Sequence, residues 1–79
     1  MDTIFGDAPI EMAQMVIGHA WRQHTKESML AAALKIEGMR MLVADIYYRK
    51  SGGLALIVRL NAMIQRCHQA ANMIERGEL

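Results

Sequence analysis

Cysteine is almost missing from this sequence, proline occurs once, and the aromatic residues number one tryptophan, one phenylalanine and two tyrosines. With Cys67 alone, no intramolecular disulfide forms, which excludes the small cross-linked secreted scaffolds and favours a reducing, cytoplasmic setting. Long uncharged runs are missing too. The richest apolar stretches, 29–48 and 54–64, are interrupted by Lys35, Glu37, Arg40 and Asp45 in the first and by Arg59 in the second. A membrane span needs about 20 nearly uncharged residues, so none is expected. The first residues carry an acid at Asp2 and neither a basic segment nor an apolar core, so a signal peptide is not expected.

Charge of one sign is lacking overall, with a net value of +1. Its distribution is uneven: residues 1–39 sum to −2, residues 40–74 to +4 and residues 75–79 to −1. The second half is mildly basic but well short of a basic arm.

What is abundant is apolar surface. Counting glycine and leaving out tyrosine, 46 of 79 residues are apolar, about 58%, against roughly 45–50% in soluble domains. A chain of this length forms one domain and buries only about 60–65% of its unfolded surface. The excess needs an outlet, and the usual one is an interface with another chain. Residues 1–79 are therefore read as a single helical domain that self-associates, with residues 1–6 loosely held.

Helical periodicity runs through almost the whole chain. Pro9 stands at a helix start, with Asp7 or Ala8 as cap and Glu11 in the first turn. Ile10, Ala13, Ile17, Ala20 and His24 then follow at 3-4-3-4 spacing, with Trp21 at the edge of the stripe. A second stripe, Met29, Ala32, Ile36, Met39, Val43 and Ile46, is out of phase with the first by one residue. Thr25 lies at the join and is a natural N-cap. The expectation is a turn near residues 24–26, with one long bent helix as the competing reading. Ser51-Gly52-Gly53 ends the second helix, and Leu56, Leu60, Met63, Cys67, Ala70 and Ile74 mark a third, closed by Gly77.

The predicted fold is all-α: an antiparallel helical hairpin of about 28–50 and 54–76, plus an N-terminal helix of about 9–24, in a three-helix arrangement completed by homodimerisation. Helix 2 carries a second apolar stripe, Leu30, Leu34, Met41 and Tyr48, interrupted by Glu37. Two apolar faces require two neighbours. Met12, Met15 and Val16 lie off the main stripe of helix 1 and join Leu30, Leu34 and Met41 as the candidate oligomer interface.

No constellation of catalytic residues stands out. His19 and His24 are five apart and do not share a face as a metal pair does, and Cys67 and His68 point about 100° apart on a helix. No two acids within a helix stand at i, i+3 or i, i+4, so acid–base chemistry has no evident seat. Gly52-Gly53 lacks the lysine and spacing of a phosphate-binding loop. No metal, cofactor or enzymatic activity is expected. The hairpin tip, Tyr47, Tyr48, Arg49 and Lys50, combines aromatics and cations as contact surfaces often do, although a capped helix end explains it equally well. With Arg59 and Arg66 these are the candidate partner-binding residues. Both arginines border the stripe of helix 3 and could instead pair with Glu37 or Asp45 across the hairpin.

The functional expectation is a non-enzymatic protein-binding module, a small adaptor, regulator or inhibitor that acts as a homo-oligomer. The alternative is a nucleic-acid binder using Arg40, Arg49, Lys50, Arg59 and Arg66, whose binding would be salt-sensitive.

Overall fold

A computed structural model describes residues 8–47 and 53–79, in three helices: α1 Ala8–Gln23, α2 Lys26–Tyr47 and α3 Gly53–Glu75. The three pack together, with extents of 43 × 17 × 15 Å. The α2–α3 hairpin forms the long body, and α1 lies along it.

The join between α1 and α2 is a turn between two separate helices, which decides against the long bent helix. His24 adopts φ 53°, the left-handed conformation that terminates helices, and its N–H donates to the Ala20 carbonyl at 3.0 Å. Here the structure corrects the sequence reading. His24 continues the spacing of the apolar stripe but lies past the end of α1, exposed, with its ring 5.7 Å from that of Trp21. Thr25 then caps α2 as expected. The Ser28 N–H donates to Thr25 Oγ1 at 3.0 Å, and the Thr25 N–H donates to Ser28 Oγ at 3.2 Å. This is a reciprocal capping box with serine in place of the usual glutamate. The buried Ser28 hydroxyl also lies 2.9 Å from the Ala20 carbonyl and 2.8 Å from that of Thr25, so its one proton ties the end of α1 to the start of α2.

The helix ends that fall on described residues are shifted by one or two residues from the sequence estimates; the expected end of α2 near Lys50 and the expected turn residues Ser51 and Gly52 lie outside the described residues, and Gly53, expected in that turn, opens α3. Gly77, at φ 76°, closes α3 as predicted. The Glu78 N–H donates to the Met73 carbonyl at 2.8 Å and the Gly77 N–H to the Ile74 carbonyl at 3.0 Å, the paired bonds of a Schellman cap.

The core follows the stripes. Met29, Ile36, Leu60 and Cys67 are its largest fully buried side chains, and Ile10, Ala13 and Ala20 are the buried contribution of α1. Met39, Leu56, Met63 and Ile74 are partly buried against it. The stripe of α2 departs from expectation at its end, where Ile46 is 47% exposed. Across the hairpin, Lys26 Nζ meets Glu75 Oε2 at 2.6 Å, and Arg40 donates to Asn61 Oδ1 at 2.8 Å. No helix among the described residues is long and apolar enough to cross a membrane.

Candidate functional site

Two surfaces stand out, and both contain a glycine that the chain's own packing does not require. A glycine inside a helix costs about 1 kcal/mol relative to alanine, because it surrenders more backbone freedom on folding. At Gly18 and Gly38 a Cβ would meet nothing within 4 Å.

The first surface is the outer side of α2. At 100° per residue, Leu30, Leu34 and Met41 fall within an arc of about 40°. Leu34 is 70% and Met41 64% exposed, and Leu30 is also exposed. Gly38 lies beside them, and Leu42, 61% exposed, extends the apolar surface on its far side. Neither α1 nor α3 covers this face. The sequence reading found the stripe but not Leu42, whose signal was its place one turn beyond Gly38. Among the α1 candidates, Met12 and Met15 are exposed, whereas Val16 turns inward and packs against the core.

The second surface is a groove of about 770 Å³ between α1 and α3. Its α1 wall comprises Ile10, Gln14, Ile17, Gly18 and Trp21, and its α3 wall includes Arg59, Met63, Arg66, Ala70 and Met73. Met29 of α2 and the buried Cys67 lie at its base. Burial pushes the Cys67 thiol above its ordinary pKa of 9.0, so it behaves as a small apolar group and not as a nucleophile.

Among the described residues the expected pairing of Arg66 with Glu37 or Asp45 is not made. Glu37 faces His68, with Oε2 to Nε2 at 3.8 Å, while Arg66 lines the groove on the opposite flank of α3. Arg59 lines it too and makes an interaction within the chain. Arg40, held by Asn61, lies about 150° round α3 from these two, so the three cations do not form one patch. Tyr47 is the last residue of α2, and Tyr48, Arg49 and Lys50 lie outside the described residues. Among the described residues no three His, Cys, Asp or Glu side chains gather as a metal site. His19 Nε2 is 3.2 Å from Gln23 Nε2 on the same helix.

No protein-family model, no curated protein and no solved structure matches the chain.

Proposed function

We propose that this chain is a non-enzymatic protein-binding module that self-associates through the outer face of α2 and presents its remaining surface to a partner. The observation that carries this reading is the uncovered row of Leu30, Leu34 and Met41 beside the open Gly38. Exposed apolar side chains gathered on one helix face mark contact surfaces more often than do scattered ones. A glycine in their midst lets a second helix approach closely.

A second copy is the occupant that the apolar excess of the composition selects, because homodimeric interfaces are the more apolar class.

The test of partner binding is capture with the tagged protein from its native host, with and without nuclease, and identification of what is retained. A stoichiometric protein that survives nuclease and moderate salt supports the module. Material that disappears with nuclease or salt replaces it with the nucleic-acid reading, in which phosphate neutralisation dominates.

A further inference from the structure

We infer that two copies of α2 pack antiparallel across Gly38, with Asp45 of each copy facing Lys35 of the other. This rests on the self-association reading and adds to it the direction and register of the contact.

The face itself sets the centre. At 100° per residue Gly38 lies opposite the buried Met29, Ile36 and Val43, so it stands at the middle of the outer side of α2. Leu34 and Leu42, both exposed, flank it about 40° to either side, one turn before it and one turn after. A two-fold axis through this point sets glycine against glycine, where a second backbone comes closest.

Charge then selects the direction. Glu27 and Asp45, both exposed, lie about 20° from Gly38, on the ridge that a second helix must follow. In a parallel pair each would meet its own copy at the same level, carboxylate against carboxylate, which opposes association. In the antiparallel pair the two Asp45 stand about 21 Å apart along the axis and the two Glu27 about 33 Å. The same reversal brings Lys35, exposed about 60° from Gly38, from about 15 Å to about 6 Å of axial distance from Asp45 of the second copy. Side chains on a helix lean toward its N-terminus, so in antiparallel helices the lysine and the carboxylate lean toward each other. Leu34 falls within about one residue's rise of Met41 of the second copy, so the apolar groups meet as well. Glu37, about 100° round from Gly38, faces His68 of its own chain and stays off the contact.

The experiment places a spin label on Glu27→Cys and measures the label-to-label distance in the dimer by double electron–electron resonance. Cys67 is buried, and the unsubstituted chain is the control for labelling at that position. The expected separation is about 30–40 Å, whereas a parallel pair holds the labels within about 15 Å and broadens the continuous-wave spectrum. In sedimentation, Lys35→Glu and Asp45→Lys each raise the dissociation constant about tenfold, and the double variant recovers most of that loss. Circular dichroism establishes that each variant keeps its helices. Chains that stay monomeric at every concentration overturn the self-association reading and this inference with it. Dimers whose labels lie in near contact, or dimers in which the double variant is no tighter than either single one, overturn the antiparallel contact alone and leave self-association standing.

Discussion

At the residue scale, the junction at 24–28 concentrates the local chemistry. Ser28 accepts the Thr25 N–H and bridges to the Ala20 carbonyl while almost fully buried. Ser28→Ala removes the hydroxyl and leaves those groups short of a partner, a loss of about 1–2 kcal/mol, read as a lower urea midpoint at unchanged slope. His24 is the opposite case. A non-glycine residue at φ 53° carries a cost of about 1 kcal/mol, so His24→Gly is expected to raise the melting temperature by a few degrees despite the lost contact with Trp21. Thr25 was readable from the sequence because capping depends on one side chain and its nearest backbone. The turn near residues 24–26 was readable too, but not the left-handed backbone of His24, because its spacing continued an apolar stripe.

At the element scale, α2 explains both the success and the limit of periodicity. Its stripes followed from the 3.6-residue repeat, which says which side chains share a face. Repeat alone does not say which neighbour covers which face. For that reason the sequence placed Val16 with Met12 and Met15, and allowed Arg66 a pairing with Glu37 or Asp45, whereas the docking angle of α1 turns Val16 inward and sets Arg66 in a groove with Trp21. The groove depends on how far α1 stands from α3, a distance no local pattern encodes.

Gly38 gives the sharpest prediction for α2. Gly38→Ala places a methyl where nothing in the chain touches it. The isolated fold should gain about 0.5–1 kcal/mol from helix propensity. If a second α2 crosses at this point, the same methyl weakens association. A higher melting temperature at high dilution together with a larger dissociation constant is the expected pair of results, checked by thermal denaturation and sedimentation.

At the scale of the whole molecule, two groups make stability fall in alkali. The hydrogen bond and charge of Glu75 hold the Lys26 pKa above 10.5, so the stability this pair contributes is present below 10.5 and is lost as pH rises through the folded value. Cys67 works in the same direction from a lower starting point. Its thiol is held protonated by burial, so above pH 9.0 the unfolded chain ionises while the folded one does not. Melting temperature should therefore decline above pH 9, and Cys67→Ala should flatten the first part of that decline without changing the later one.

Self-association is the property on which the whole account depends, since it joins the apolar excess of the composition to the bare face of α2. Sedimentation equilibrium of the wild type and of Leu34→Asp and Met41→Asp, over a wide concentration range, tests it most directly. Both side chains are exposed, so each variant should keep its helical spectrum. The account predicts a wild type of twice the 8.9 kDa chain mass or more, and helical variants that sediment as single chains. A wild type that remains monomeric at every concentration, or variants that associate as the wild type does, would contradict it.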